Sequence, residues 1–196
     1  MTIIEHCCYQ KQLRTLFNNI AKKENRKEVM LTYSDFTISE LLLWYTCRTH
    51  GQCTVTLATP SLTTETIHTL RRIMAQKYYS QEKQQNIPFV TQLNLITDGT
   101  DKQLTDTLQT ENPDRTSCAY TPHSINILTI QDKERSMIFT GELPQQTADK
   151  PVMRTIIVQD DKTLYTDIHN ILDSTLRRAK KKKEKEEKNT DNSSHP

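Results

Sequence analysis

The stretch Thr116–Gln146 decides the fold of this chain: TSCAYTPHSINILTIQDKERSMIFTGELPQQ. Short apolar runs alternate there with polar turns, a pattern that predicts strands rather than helices. The three predicted strands are Ser117–Tyr120, Ser124–Ile130 and Ser136–Thr140. A polar turn at 131–135 joins the last two, so we expect them to pair as an antiparallel hairpin.

Upstream of this stretch, strand patterns alternate with helix patterns, which implies βαβ crossovers and parallel strands. A capping box, Thr37-x-x-Glu40, marks the start of the first helix. Downstream, a further strand and a helix from about Lys162 end the pattern. The fold class predicted is α/β, a three-layer α/β/α sandwich with a mixed, largely parallel sheet. The remaining predicted strands are 29–33, Cys53–Ala58, Phe89–Thr97 and Met153–Gln159, and the remaining predicted helices are Ile38 to about His50, Thr63–Tyr79 and Lys102–Thr110.

The length and composition fit one domain with extensions. A chain of 196 residues that is 34% hydrophobic can bury one sizeable core. Residues 9–23 have an amphipathic helical pattern, which predicts a helical extension over 1–28. We therefore expect an α/β domain over 1–176, followed by a charged, partly disordered tail over 177–196.

Features that the sequence lacks narrow the class of protein. No apolar run is long enough to cross a bilayer, so no membrane contact is expected. The five cysteines follow no repeating spacing, which indicates free thiols in a reducing compartment and a cytoplasmic location. His6, Cys7 and Cys8 lack a second pair of ligands, so no metal site is expected. Because no glycine-rich phosphate-binding motif follows a strand, no cofactor is expected either.

The charge of the chain is unevenly placed. Residues 177–196 hold 8 of the 26 Lys and Arg and 4 of the 24 Asp and Glu, so the tail carries +4 and the rest −2. A basic run of this kind is a candidate contact for nucleic acid or an acidic partner. The alternative is a solvated, solubilising helix end. The candidate nucleic-acid-binding residues are Arg177, Arg178, Lys180, Lys181, Lys182 and Lys183.

The order of the elements from about Val29 to Leu176 resembles the phospholipase-D-like superfamily of phosphodiesterases and nucleases. In that family a His-x-Lys strand precedes a hairpin that ends in a Gly-Ser or Gly-x-x-Asn turn. His123 stands where the histidine is expected, and Gly141 closes the hairpin. The motif is degenerate, because Ile125 occupies the lysine position and Glu142 follows the glycine.

The resemblance implies a mechanism that these residues do not complete. The family uses one histidine as the nucleophile and a second histidine as the acid, while cations hold the phosphoryl oxygens. A chain with a single motif obtains the second histidine from its partner in a homodimer. Ile125 supplies neither charge nor a donor, so His123 is interpreted as a structural residue or a vestigial catalytic one, and the alternative is that it still contacts phosphate. We expect a degenerate, non-catalytic binding or scaffold module, linked to bacterial mobile elements or to nucleic acid. The alternatives are an active phosphodiesterase or nuclease with an altered site around His123 in a homodimer, and an unrelated α/β domain that binds a small ligand or a protein.

Polar residues that follow the predicted strands form a second set of candidates. Ligands of open α/β sheets bind at the carboxyl ends of strands. The alternative is that these residues are ordinary turn and helix-cap residues. The candidate ligand-binding residues at those ends are Ser34, Asp35, Thr59, Ser61 and Asp98, with His123 and Glu142 close by.

Overall fold

The structure, a computed structural model, describes residues 28–32, 37–46, 52–121, 126–133, 135–141, 155–159 and 162–192. In chain order the elements of these ranges are β1 (Glu28–Thr32), α1 (Ile38–Thr46), β2 (Cys53–Ala58), α2 (Thr64–Ala75), β3 (Lys77–Ser80), β4 (Gln85–Pro88), β5 (Val90–Thr97), α3 (Lys102–Glu111), β6 (Thr116–Tyr120), β7 (Ile127–Gln131), β8 (Ser136–Gly141), β9 (Thr155–Gln159) and α4 (Lys162–Asn192).

Within the described ranges, the main sheet has seven strands in the order β1-β9-β8-β7-β2-β5-β6. The pairs β2/β5 and β5/β6 are parallel, whereas β2/β7, β7/β8, β8/β9 and β1/β9 are antiparallel. It follows that β1, β2, β5, β6 and β8 point one way and only β7 and β9 point the other. The sheet is therefore mixed, and most of its strands share one direction, so the predicted fold class is confirmed.

Helices cover both faces of this sheet because alternate strand residues point to opposite sides. On one face, Leu57, Leu95 and Phe139 belong to a buried cluster with residues of α1, α2 and α3. On the other face, Ala58 and Ile96 belong to a smaller cluster with Tyr165, Leu172 and other residues of α4. These two clusters form the two interfaces of a three-layer sandwich.

The start of α1 follows directly from its sequence. The backbone N–H of Thr37 donates to Glu40 Oε2 at 2.9 Å, and the N–H of Glu40 donates to Thr37 Oγ1 at 3.2 Å. These two bonds are the capping box expected from Thr37-x-x-Glu40, and each satisfies a donor that a helix start leaves unpaired.

The predicted helix Thr63–Tyr79 is wrong at its end. The helix stops at Ala75, because Gln76 has an extended backbone with φ −67° and ψ 137°. The next residues form β3, which pairs with β4 as a separate two-stranded ribbon that the helical spacing did not predict. Tyr78 packs edge-on against Phe89 at a centroid distance of 6.4 Å, a contact that a continuing helix would not make.

The last helix, α4, runs without a break from Lys162 to Asn192. The division of the chain into a domain over 1–176, an extension over 1–28 and a tail stays a prediction. Among the helices of the described ranges, none has both the length and the apolar composition that spanning a membrane requires.

Candidate functional site at the carboxyl edge of the sheet

Five strands end at one edge of the sheet, which we call the carboxyl edge. The register runs across this edge from Thr32 of β1 through Gly141 of β8 to Ala58, Thr97 and Tyr120 at the ends of β2, β5 and β6. The candidate residues Ser34, Asp35, His123 and Glu142 lie outside the described residues. The strands that precede them, β1, β6 and β8, all end at the carboxyl edge.

Thr59 follows β2 directly and is buried at this edge. Its Oγ1 lies 3.3 Å from the carbonyl oxygen of Ser61 and 3.1 Å from Asn126 Oδ1, both within donating distance. The backbone carbonyl of Asn126 accepts in turn from Thr140 Oγ1 at 3.0 Å. Thr59 therefore joins the ends of β2 and β8 through the residue that precedes β7.

Asp98 follows β5 and is exposed beside the same loop. Its backbone N–H donates to the Pro60 carbonyl at 2.9 Å, while its carboxylate accepts from the N–H of Thr100 at 2.8 Å. Hydrogen bonds from the side chain and the backbone of Thr100 lower the pKa of Asp98. Its carboxylate is therefore ionised at neutral pH, and a phosphate placed there would be repelled.

A second carboxylate fixes this loop to its neighbour. Asp101 Oδ2 accepts from the backbone N–H of Leu62 at 2.7 Å, which connects the loop after β5 with the loop after β2. Thr59, Ser61 and Asp98 are thus brought to one place by the register of β2 and β5. Their hydrogen bonds are those of turn and loop residues, and their role as ligand-binding residues stays a prediction.

Tyr120, at the end of β6, is tied to α3. Its hydroxyl donates to Asp106 Oδ1 at 2.6 Å and lies 2.7 Å from Thr105 Oγ1. Burial raises the pKa of the phenol, and the Asp106 carboxylate raises it further, so the phenol stays protonated at neutral pH. The ammonium of Lys102 lies 5.6 Å from the centre of the same ring. The group holds α3 to β6, and its phenol does not act as a base at neutral pH.

We expect Tyr120→Phe to lower the free energy of unfolding by about 1.5–3 kcal/mol, because it removes a donor that is bonded to a carboxylate. Tyr79→Phe is the matched control, since the Tyr79 side chain is 61% exposed and its hydroxyl has no hydrogen bond among the described residues. Urea unfolding of both variants measures the difference. Equal stability of the two variants would contradict this structural role for the Tyr120 phenol.

The basic residues of the tail stand on α4 after Leu176, its last described contact with the core. Leu176 still packs against the cluster that holds Ile96 and Ala119, near the ends of β5 and β6. Arg177, the next residue, is 77% exposed in its side chain and pairs with Asp173 at 2.7 Å. Arg178 and Lys181 are also exposed, and the remaining basic candidates, Lys180, Lys182 and Lys183, continue the same helix.

Metal binding has no candidate within the described ranges, where no group of three or more His, Cys, Asp or Glu is arranged to hold an ion. Two described cysteines, Cys53 and Cys118, are free thiols. Burial raises the pKa of Cys53 to about 12, with a smaller contribution from Asp132, so it is protonated and unreactive at neutral pH.

Comparisons with known proteins assign no family. No family model matches the chain, and no curated protein matches it. Among solved structures, TrmBL2, described as an archaeal chromatin protein with a novel mode of DNA binding, aligns with a TM-score of 0.46 and 11% identity. The alignment covers 90% of this chain and 62% of that one. At this level of similarity the match supports no argument about function.

Some residues that build this edge were not predicted from the sequence. Asn126 connects the loop after β2 with the end of β8, and Asp101 connects the loops after β2 and β5. Their contacts depend on β7 lying beside β2, and on the loop after β5 meeting the loop after β2. Asn126 lies inside the predicted strand Ser124–Ile130 and gives no local signal, whereas Asp101 stands directly before a predicted helix, which fits an ordinary helix cap equally well.

Proposed function

We propose that this chain is a non-catalytic nucleic-acid-binding module of phospholipase-D-like ancestry, which contacts the phosphate backbone through the basic part of α4. The observation that carries the proposal is the continuation of α4 past Leu176 to Asn192, with six cations between Arg177 and Lys183. Lys and Arg on a helix are the common means of contacting phosphate.

The helix arranges these cations in rows. Residues four apart lie on one side of a helix, so Arg177 shares a side with Lys181, and Arg178 shares the adjoining side with Lys182. Between Leu176 and the end of α4 only Ala179 is apolar, so this part of the helix has no apolar stripe that could pack against a core. Leu172 and Leu176 anchor α4 to the core, so the basic residues begin directly after an anchored part of the helix.

Charge placement supports the same surface. With −2 outside residues 177–196, the rest of the chain offers phosphate no net attraction, whereas the tail carries +4. Asp98 adds a negative charge at the carboxyl edge. Nucleic acid is therefore expected to contact the helix rather than the sheet edge, and its affinity should depend strongly on salt.

The phospholipase-D-like ancestry is part of the proposal. It is supported by His123 and Gly141, which stand at the family's motif positions, and by the mixed sheet with helices on both faces. Ile125 stands where the family has its lysine, and this replacement supports a binding role over a catalytic one. The homodimer that the single motif predicts for this chain stays a prediction, and so does the alternative function, an active phosphodiesterase or nuclease assembled in that dimer around His123.

Replacing Lys180–Lys183 by glutamine is the test, because glutamine removes the charge and keeps a similar helix propensity. We expect weaker binding to a labelled DNA duplex and a log Kd–log salt slope that falls by roughly 0.9 for each phosphate that the variant no longer neutralises. Fluorescence anisotropy over a salt series gives both quantities.

The matched control replaces Lys185 and Lys188, which alternate with Glu184, Glu186 and Glu187, by glutamine. This control should leave the salt slope close to that of the unchanged protein, because residues 184–188 hold two Lys and three Glu, a net charge of −1, whereas residues 180–183 carry +4. No binding by the unchanged protein at about 50 mM salt, where non-specific contacts are strong, would end the nucleic-acid proposal.

A further inference from the structure

The ribbon formed by β3 and β4 has two different faces. On one face Tyr78 pairs with Ile87, which is buried, and Tyr78 packs against the core beside Phe89. Because strand residues alternate, the residues between them point the opposite way. We call that opposite side the outer ribbon face; it consists of Lys77, Tyr79, Asn86 and Pro88.

Tyr79 is the unusual residue of the outer ribbon face. Its side chain is 61% exposed, and it makes no hydrogen bond or ring contact among the described residues. Among the described residues none accounts for an aromatic residue there, since Tyr78 and Ile87 already anchor the ribbon. The backbone that carries the exposed ring is fixed, because the ribbon packs on the core through its other face.

The neighbours of Tyr79 define the chemistry of this face. Lys77 lies two residues before it on the same side of the strand, and Asn86 is its partner across the ribbon. Both are exposed, and within the described ranges the Lys77 ammonium has no ion pair. A flat ring, a cation and an amide are the groups that single-stranded nucleic acid needs for stacking, phosphate contact and base-edge hydrogen bonding.

We propose that the outer ribbon face is a second contact, which stacks an unpaired base of single-stranded nucleic acid on Tyr79 with Lys77 at an adjoining phosphate. This inference rests on the proposed function and adds a substrate class to it. The basic helix supplies affinity for any phosphate backbone, whereas an aromatic platform favours strands whose bases are free to stack. Residues 81–86, which form the turn of the ribbon and the start of β4, are all exposed, and four of the six carry amides. Their one acid, Glu82, stands beside Lys83, so no cluster of acids would repel a phosphate there.

The test compares Tyr79→Ser with Tyr79→Phe in the full chain. Binding is measured by anisotropy with one oligonucleotide sequence, offered as a single strand and as a duplex. Tyr79→Ser should weaken single-strand binding by roughly 5- to 100-fold, as expected when the stacking of one base is removed, and leave duplex binding unchanged. Tyr79→Phe keeps the ring and should bind both as the unchanged protein does.

Ile171→Ser is the control for a general loss of exposed apolar surface, because Ile171 is 62% exposed on α4. It should leave binding of both forms unchanged. Thermal unfolding of each variant checks that the fold is retained, which the exposure of Tyr79 leads us to expect. Equal affinity of Tyr79→Ser and the unchanged protein for the single strand overturns the inference, as does an equal loss for strand and duplex.

The two proposals fail in different ways. If the glutamine variant of Lys180–Lys183 keeps its salt slope while Tyr79→Ser loses single-strand binding, the proposed contact through the basic part of α4 is rejected and the proposed ribbon contact is kept. If the glutamine variant loses binding while Tyr79→Ser keeps its preference for single strands, the proposed ribbon contact is rejected and the proposed contact through α4 is kept.

Discussion

Replacing Phe139 with alanine is expected to lower the free energy of unfolding by about 3–5 kcal/mol, the usual cost of removing a fully buried aromatic ring. Phe139 lies in β8 and is the largest fully buried side chain among the residues that the structure describes. It stands in the larger cluster, between the antiparallel half of the sheet and the helices of that face. Its removal therefore leaves a cavity at the centre of the sandwich.

Denaturant unfolding measures this effect, and Ile171→Ala provides the matched control on an exposed residue, with an expected change within about 0.5 kcal/mol. A loss below about 1 kcal/mol for Phe139→Ala would show that the site collapses around the smaller side chain. It would also contradict the central position of β8 in the core.

The second large effect concerns catalysis. We expect the purified protein to hydrolyse neither a phosphodiester reporter nor single-stranded DNA above background, with or without divalent metal ions. The resemblance to phospholipase-D-like proteins implies that a lysine is needed where this chain has Ile125. Removal of one group that stabilises a developing anion costs on the order of 10²–10³ in rate.

Restoring the charge with Ile125→Lys is not expected to recover turnover, because the resemblance implies that Glu142 and Pro144 stand where the family's turn has donors. His123→Ala is the control that separates the two functions. Diester cleavage by the unchanged protein that disappears in His123→Ala would replace the proposed binding role with the active phosphodiesterase.

The sequence predicted the elements whose signals are local. The capping box at Thr37 and Glu40 is present, and β2 has the predicted bounds Cys53–Ala58. The ribbon was not predicted because the helical spacing of Ile73 and Met74 continues to Tyr78. From this spacing alone, a residue that extends the helix cannot be distinguished from one that begins a strand. In the structure Tyr78 is in a strand and contacts Phe89, a tertiary interaction that periodicity does not contain.

The candidate site could be predicted only in part, for a related reason. That Thr59 and Asp98 follow neighbouring strands is readable from the alternation of strands and helices. The bond between Thr59 and Asn126 is not, because it needs β7 to lie beside β2 rather than beside β6, the strand that precedes it in sequence. Sheet order of this kind is set by competing pairings over long stretches of chain.

The pairing of β1 with β9 has a consequence for how the protein is made. The first and last described strands are neighbours at one end of the sheet, with Glu28 opposite Gln159. During synthesis β1 leaves the ribosome long before β9. It therefore has no neighbouring strand to pair with until nearly all of the α/β domain has been synthesised. Folding of this half is therefore expected to wait until β9 has been synthesised and to be slow, as contacts between distant positions require. Until then the apolar strand β1 is a segment that a chaperone would recognise.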